Sequence, residues 1–221
     1  MPAFILKNLF NYEKIHDQLL YSGVIEGIKL ILKGYPVKLK IDYSESSNRL
    51  TAIFRLILVI PIVIILALIS TYAEALSLAI AMMILFKEKY PRWWFDWNIG
   101  ITKFAYRIAA YVFLMRDEYP STDHDQSVQI NIPYPDVKND LKRWMPLVKW
   151  ILVIPHIIVL IFLFIGVVLS TIFALFAILF TGKYPKRIFH FVEGFLRWTL
   201  RVSAFALLLT TDEYPPFRLS D

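Results

Sequence analysis

The chain has 221 residues, of which 57% are hydrophobic and 19% charged, and its formal net charge is +6. Soluble domains carry about 45–50% apolar and about 25% charged residues, so this composition predicts a membrane protein rather than a globular one with a large core. The chain contains no Cys, which excludes disulfides, thiolate zinc sites, iron–sulfur clusters and cysteine nucleophiles.

The N-terminal segment, residues 1–34, is predicted to be amphipathic. Apolar residues between positions 12 and 33 follow a loosely helical spacing, which Gly23 and Gly27 interrupt. The first residues lack the basic region and the apolar core of a signal peptide, so we expect no cleaved leader.

Two apolar tracts dominate the rest of the chain. Residues 56–86 contain a single charged side chain, Glu74, and residues 150–182 contain none. One spanning helix needs about 20 residues, and a straight helix through either tract would be roughly 50 Å long. We therefore predict a transmembrane helical hairpin in each tract, with the turns at residues 70–74 and 165–167.

A short strand is predicted before each hairpin and an amphipathic helix after it. Residues 37–41 and 128–132 alternate in polarity as strands do. Residues 92–115 and 186–210 have the length of spanning helices, but each carries one polar stripe. The stripe residues are Asp96, Lys103 and Arg107 in the first helix, and His190, Glu193, Arg197 and Arg201 in the second.

The polar stripes allow two interpretations. Because a central Arg or Lys costs about 2.5–3.5 kcal/mol on insertion scales, we favour interfacial helices whose stripes contact lipid headgroups or a partner. In the alternative, both helices span the membrane and the stripes face a polar cavity or each other. Asp96 would then pair with Arg201, or Glu193 with Arg107.

An internal repeat is the strongest signal in the sequence. Three segments recur: the first two at an offset of 94 residues, and the third, which follows one inserted residue, at an offset of 95. They are 57–61 as 151–155, Lys-Tyr-Pro at 89–91 as 183–185, and Asp-Glu-Tyr-Pro at 117–120 as 212–215. We therefore predict an all-α integral membrane protein with two tandem repeats, each containing a short β-strand, a transmembrane hairpin and an amphipathic helix. Its segments are 1–34, repeat 35–120, linker 121–127 and repeat 128–221.

The second repeat carries a family resemblance. Phe-Thr-Gly-Lys-Tyr-Pro at 180–185, Leu-Arg-Trp at 196–198 and Thr-Asp-Glu-Tyr-Pro-Pro-Phe at 211–217 resemble the prokaryotic membrane family known as domain of unknown function 4389. The first repeat departs from the pattern, with Ile62 where the second has His156. The resemblance covers about residues 35–218 and implies an integral membrane protein. It brings no established activity and no catalytic residues.

Several features are interpreted as anchors at the membrane surface. Arg55 and Lys149, before the two tracts, are expected to reach the headgroups by snorkelling. The Asp-Glu-Tyr-Pro and Lys-Tyr-Pro motifs are interpreted as helix stops with an interfacial Tyr. With interfacial helices, nearly every Lys and Arg lies on one side of the membrane, and the positive-inside rule makes that side cytoplasmic. The two strands could pair there into a small cap.

We expect no catalytic site, metal site or cofactor. His156 and His190 could be imagined as haem ligands, but the first repeat has Ile62 and Asp96 at the equivalent positions. The run 123–125, Asp-His-Asp, could bind a metal, but a solvated turn is the simpler interpretation. We expect no nucleic-acid binding, because the sequence shows no basic cluster or base-stacking motif.

Three functions remain open. The favoured one is a non-catalytic accessory or structural subunit of a larger complex in the inner membrane, with membrane lipids and other membrane subunits as partners. The second is a lipid-interacting or membrane-shaping protein. The third is a small transporter or channel, which would require the third helix of each repeat to span the membrane.

Overall fold

The structure is a computed structural model that describes residues 35–122 and 124–220. The predicted amphipathic segment 1–34 therefore lies outside the described residues. The described elements are, in chain order, β1 (Lys38–Ile41), α1 (Arg49–Leu58), α2 (Ile60–Lys87), α3 (Arg92–Val112), β2 (Val128–Asn131), α4 (Val137–Asp140), α5 (Met145–Leu152), α6 (Ile154–Thr181) and α7 (Lys186–Ala206). Each repeat thus contains a strand, a short helix, a long apolar helix and the helix predicted to be amphipathic, which keeps that name below.

The long helices α2 and α6 are continuous, so the predicted hairpins are wrong. Each has 28 residues, about 42 Å at 1.5 Å per residue, and runs through the positions predicted to turn. Neither 70–74 nor 165–167 contains a Pro or a pair of turn-forming residues, and a lone Gly such as Gly166 is tolerated inside a helix. Both helices are long and apolar enough to cross a membrane, by length and composition.

The break falls earlier, at the start of each long helix. Pro61 and Pro155 lie in the first turn of α2 and α6, where the N–H that proline lacks would have no partner within the helix. The short helices α1 and α5 end immediately before that turn. A short helix followed directly by a long one therefore replaces each predicted hairpin.

The amphipathic helices end before the predicted positions 115 and 210. Leu114 and Leu209, with φ values of 63° and 54°, are left-handed residues just past the ends of α3 and α7. A left-handed residue at this place reverses the chain and ends a helix. The Lys-Tyr-Pro motifs, in contrast, lie where expected, between the long helix and the amphipathic helix of each repeat.

The two strands pair with each other, which confirms the predicted pairing. The ladder is antiparallel, with Leu39 opposite Ile130 and Lys40 opposite Gln129. The two strands of an antiparallel pair are related by a local two-fold axis perpendicular to the sheet, and here one strand comes from each repeat. Both of these side chains are buried against the helices, whereas Lys40 and Gln129 face outwards.

The repeats exchange contacts across this axis. The short helix α1 packs on α6 of the other repeat, and α5 packs on α2. Strand β1 packs on α7, and β2 packs on α3. The amphipathic helices therefore form a middle layer, with the long helices on one face and the strand pair on the other.

Equivalent side chains build the two cores. One cluster joins Val59, Ile62, Phe104, Ile108 and Tyr111. The second cluster joins Val153, Trp198, Val202, Phe205 and Ala206. Four members of each cluster match at an offset of 94 residues, so both repeats use the same contact between the start of the long helix and the end of the amphipathic helix.

The strand register predicts a selective cross-link between the repeats. In the Cys-free chain, Lys40→Cys with Gln129→Cys places two exposed thiols opposite each other, at the separation that cross-strand pairs share with disulfides. We expect rapid intramolecular oxidation, detected by gel mobility and by mass spectrometry of the linked peptide. The control pair, Lys40→Cys with Asn131→Cys, is two residues out of register and should react much more slowly; equal rates would contradict this register.

Candidate functional site

Each Asp-Glu-Tyr-Pro motif brings its Asp to a buried cation. Arg55 on α1 pairs with Asp117, and Lys149 Nζ on α5 lies 2.7 Å from Asp212 Oδ1. Arg55 and Lys149 are each only 1% exposed. The prediction that they snorkel to the headgroups is therefore wrong, because each is buried and binds a carboxylate of its own repeat.

Backbone carbonyls and aromatic rings complete the surroundings of both cations. Arg55 Nη1 donates to the carbonyls of Tyr111 and Arg116 at 3.2 and 3.0 Å, and its guanidinium lies 4.5 Å from the Tyr111 ring centre. Lys149 Nζ donates to the Thr211 carbonyl at 2.8 Å. A buried charge is tolerated only when it is paired and hydrogen-bonded in this way.

The Tyr of each motif contacts the bend before the long helix. Tyr214 Oη donates to the carbonyl of Leu152 at 3.1 Å, and Tyr119 Oη to that of Leu58 at 3.4 Å. The motifs begin five residues after α3 ends and six after α7 ends. The interpretation of these motifs as helix stops is therefore wrong: they are the return segments that tie the short helix to the end of the amphipathic helix.

The stripe of α7 binds the strand layer through Glu193. Its Oε1 accepts from the backbone N–H of Ile41 at 3.2 Å and lies 3.3 Å from Arg197 Nη2. Its Oε2 lies 3.6 Å from His190 Nδ1. Glu193 is 8% exposed, so this carboxylate is an internal link between helix and strand.

The two arginines of the α7 stripe hold the segment 218–220, in which the chain bends at Leu219. Arg197 Nη1 donates to the carbonyl of Leu219 at 3.1 Å. Arg201 Nη1 and Nη2 donate to the carbonyls of residues 218 and 220 at 3.3 and 2.8 Å. The segment passes directly over Gly194, where an added Cβ would lie 2.8 Å from the Leu219 Cβ and 3.0 Å from its carbonyl oxygen.

The stripe of α3 is more open. Asp96 pairs with Arg92 of the same helix at 3.1 Å, and both side chains are more than half exposed. Arg107 Nη1 donates to the carbonyl of Ser121 at 2.6 Å. Lys103 and Arg107 line a polar cavity of about 360 Å³ beside β2, whose other lining residues are Asp125, Gln126, Val128, Gln129 and Ile130.

A second acid links the connecting segment to both strands. Glu118 accepts from the Ser127 N–H at 3.1 Å and also from the Ser127 hydroxyl and Arg116. Arg116 in turn donates to the Asp42 carbonyl at 3.0 Å. Burial by itself raises the pKa of Glu118, but the hydrogen bonds from Ser127 and Arg116 outweigh it and lower the pKa.

His156 is a core residue. It is completely buried, its Nδ1 accepts from Trp198 Nε1 at 3.0 Å, and its ring stacks on Phe217 at 3.9 Å. The first repeat fills the same place with Ile62 and Phe104. His190 is 70% exposed. Among the described residues, no three His, Asp or Glu side chains are grouped so that they could hold a metal ion.

Equivalent tyrosines bind the two Lys-Tyr-Pro turns. Tyr43, after β1, donates to the carbonyl of Tyr184 at 2.6 Å and packs edge-on against Phe189. Tyr134, after β2, donates to the carbonyl of Tyr90. The tyrosine after each strand therefore fastens the strand to the turn that precedes the amphipathic helix on which that strand packs.

The sequence matches the family described as Domain of unknown function (DUF4389) over residues 49–122 and again over residues 143–218. The chain belongs to this family. Its two tandem copies confirm both the internal repeat and the resemblance. No curated protein and no solved structure matches the chain.

The two DUF4389 copies place their ion pairs at equivalent positions. Arg55 and Lys149 each lie six residues after the start of their copy. The internal repeat aligns the Asp-Glu-Tyr-Pro motifs but does not by itself connect them with these cations. The signal was present, because a basic residue recurs two positions before each Ile-Leu-Val-Ile-Pro run.

The buried ion pairs predict an unequal response to two matched substitutions. Asp212→Asn leaves the buried Lys149 without a counter-charge and should lower the free energy of unfolding by about 3–5 kcal/mol. Asp96→Asn breaks the exposed pair with Arg92 and should cost about 0.3–0.5 kcal/mol. Denaturant unfolding in detergent micelles measures both, and equal losses would show that the Lys149–Asp212 contact is not the buried pair described.

Proposed function

We propose that this protein is a non-catalytic integral membrane protein that serves as an accessory or structural subunit of a larger membrane complex. The observation that carries the proposal is the exposure of the long helices. Only 14% of the most apolar stretch of α2 is buried, and only 22% of that of the α5–α6 segment. Monomeric soluble proteins rarely expose contiguous apolar surface on this scale, so lipid or partner helices are needed to cover it.

The layered fold supports insertion of both repeats in the same sense. The local two-fold axis runs through the paired strands, and the buried faces of both strands point towards the helices. The start of α1 lies beside the end of α6, and Arg143 before α5 pairs with Glu88 after α2, so the two long helices run antiparallel. An axis along the membrane normal would therefore lay α2 and α6 flat in one leaflet at the same depth, with the exposed Lys38 and Lys40 at one surface. The positive-inside rule then makes that surface cytoplasmic, in the inner membrane.

The same layering supports an interfacial position for α3 and α7. One face of each helix packs on a long apolar helix. The opposite, polar face packs on a strand and on the chain that follows the Asp-Glu-Tyr-Pro motif of the same repeat. The stripe residues Arg107, Glu193, Arg197 and Arg201 bind groups of their own chain. This use of the stripes favours a structural role over a transport path.

Large aromatic side chains supply contact surface for partners. Trp93 and Trp144 are 66% and 67% exposed, at the starts of α3 and α5. Tryptophan is enriched both at membrane interfaces and in the central contacts between proteins. We assign these residues to the border between lipid and neighbouring subunits.

Lipid interaction is the second candidate, and one crevice favours it. It has a volume of about 210 Å³ and lies between α1, the turn after α3, and α6. Ile53, Val112, Val168 and Leu175 contribute to its mainly apolar lining. An acyl chain is the chemistry that suits such a surface, and a protein with its apolar helices on one side could act as a wedge in one leaflet.

Affinity purification from native membranes tests the subunit proposal. The tagged protein, extracted in mild detergent, should co-purify in fixed stoichiometry with a larger assembly, as seen by mass spectrometry and native sizing. An unrelated tagged membrane protein of similar abundance is the control. Recovery of a lone protein with bound lipid would contradict the subunit role and favour the lipid-interacting candidate.

Thiol labelling tests the proposed topology, since the chain has no Cys. Lys38→Cys and Ser220→Cys, one exposed position in each repeat, should both react with a membrane-impermeant reagent from the cytoplasmic side only. Leu39→Cys, at a position that is 3% exposed, is the control that should stay unlabelled. Labelling of the first two positions from opposite sides would rule out insertion in the same sense.

A further inference from the structure

The seam between α1 and α6 contains the mainly apolar crevice of about 210 Å³. Ala52 and Ile53 line it on α1, and Val168, Ile172 and Leu175 line it on α6. Ile53, Val168 and Ile172 are also exposed at the outer surface of these helices. The crevice is therefore open to a hydrocarbon chain from the side that lipid would cover.

One hydrogen bond that is present at the equivalent place in the other repeat is missing at this crevice. Ser77 on α2 donates to the carbonyl of Leu207, after α7, at 2.8 Å. The residues that match these two at an offset of 94 are Thr171 and Phe113, and both line the crevice. Thr171 donates instead to the carbonyl of Val167 on its own helix, at 2.8 Å. At the crevice, the long helix therefore lacks this link to the turn after the amphipathic helix.

Four cations lie at the end of α6 and around the turn that follows it. Nε and Nη2 of Arg49, the first residue of α1, lie 3.5 Å from the place where a Cβ on Gly182 would be. Lys183 follows Gly182, and Lys186 and Arg187 begin α7. All four cationic side chains are exposed, and together they form the basic patch.

The crevice and the basic patch lie along the same seam. Ala52 and Ile53 follow Arg49 by three and four positions, so the three side chains share one face of α1. On α6, Leu175 precedes Gly182 by seven positions, a distance of about 10 Å at the helical rise per residue. A phospholipid whose phosphate lies at the basic patch therefore has its hydrocarbon beside the crevice.

The equivalent turn after α2 has acidic partners that the basic patch lacks. There, Arg143 pairs with Glu88 at 2.7 Å. Arg92 pairs with Asp96 at 3.1 Å. At an offset of 94 residues both cations are matched by cations and neither acid is matched by an acid; the matching pairs of positions hold Arg49 with Gly182, and Lys186 with His190. The turn after α6 is therefore the more positive of the two.

The nearest acids along the chain do not pair with the basic patch. Glu45 belongs to the segment whose Ser47 N–H donates to the Gly182 carbonyl at 2.9 Å, but it is exposed and forms no ion pair with the described residues. Asp117 accepts from the Asn48 N–H at 2.8 Å and pairs with the buried Arg55 instead. A ligand that brings its own negative charge therefore suits this patch.

We propose that the α1–α6 seam binds one anionic phospholipid, with its phosphate beside Arg49 and Lys183 and an acyl chain in the crevice. Lys186 and Arg187 add positive charge around the phosphate. Basic residues next to an apolar membrane surface attract anionic headgroups, and the crevice holds the lipid at one place. The proposal rests on the membrane insertion proposed above, and it goes beyond the subunit role because it names a lipid class and the residues that recognise it.

Native mass spectrometry of the purified full chain in neutral detergent tests this proposal. The probes are phosphatidylglycerol and phosphatidylcholine with the same acyl chains. One phosphatidylglycerol should bind about tenfold more tightly than phosphatidylcholine, because only its headgroup carries a net negative charge. Arg49→Gln combined with Lys183→Gln should remove that preference. The matched control, Arg143→Gln combined with Lys89→Gln at the equivalent positions, should retain it.

Filling the crevice is a second test, which leaves the charges unchanged. Val168→Trp places a large side chain in the crevice, so it should abolish binding of the single lipid. Leu169→Trp, at an exposed position of α6 outside the crevice lining, is the matched control that should bind as the unmodified protein does. Both positions are exposed, so neither variant should alter the unfolding midpoint in detergent appreciably.

Several outcomes would overturn the proposal. One is equal affinity for both lipids, and another is an equal loss in the two pairs of glutamine variants, which would indicate attraction to net charge alone. Unchanged binding by Val168→Trp would exclude the crevice as the acyl site. Displacement of phosphatidylglycerol by inorganic phosphate at matched concentration would identify a small-anion site instead of a lipid site.

The lipid site and the subunit role fail separately. Loss of the lipid preference from a protein that still co-purifies with a larger assembly would refute the site alone. A lone protein that keeps the preference would refute the subunit role alone.

Discussion

The structure depends on a buried cation at the end of each short helix. An isolated charge inside a protein is very costly, and it is retained only when a counter-charge and hydrogen bonds replace water. After the amphipathic helix the chain must therefore run back to the short helix, so that Asp117 can pair with Arg55 and Asp212 with Lys149. That return closes each repeat, because it holds the short helix, the bend and the far end of the amphipathic helix together. Replacement by apolar groups often stabilises such a site, so its effect lies in selecting one arrangement of helices.

The two-fold arrangement distributes contacts so that neither repeat is complete alone. Each strand packs on the amphipathic helix of the opposite repeat, and each short helix packs on the opposite long helix. The symmetry applies to the scaffold and not to its details. The second repeat has His156 and Trp198 where the first has Ile62 and Phe104. It also has Glu193, which binds strand β1, where the first repeat has Ile99. These differences between the repeats are the positions at which a duplicated fold can acquire a specific function.

The polar and apolar surfaces are separated by layer. The strand pair presents Lys38 and Lys40 outwards, whereas the long helices present residues such as Phe162 and Phe180, which are 70% and 80% exposed. A helix surrounded by lipid needs few internal apolar contacts, because hydrocarbon is as favourable for these side chains as a protein core. The interior can then consist largely of the amphipathic helices and their polar partners.

The sequence by itself determined the duplication, the two apolar tracts, the paired strands and the residues of both polar stripes, because these depend on composition, periodicity and local similarity. It did not determine the continuity of the long helices: their length suggested a hairpin, but residues 70–74 and 165–167 offer nothing that stops a helix. Only the tertiary structure decided what the polar residues bind. The partners of Glu193 and Arg55 lie 152 and 62 positions away along the chain, and many of the other partners are backbone groups that carry no residue-specific signal. Burial made those contacts necessary, and burial is a property of the packed chain rather than of any local pattern.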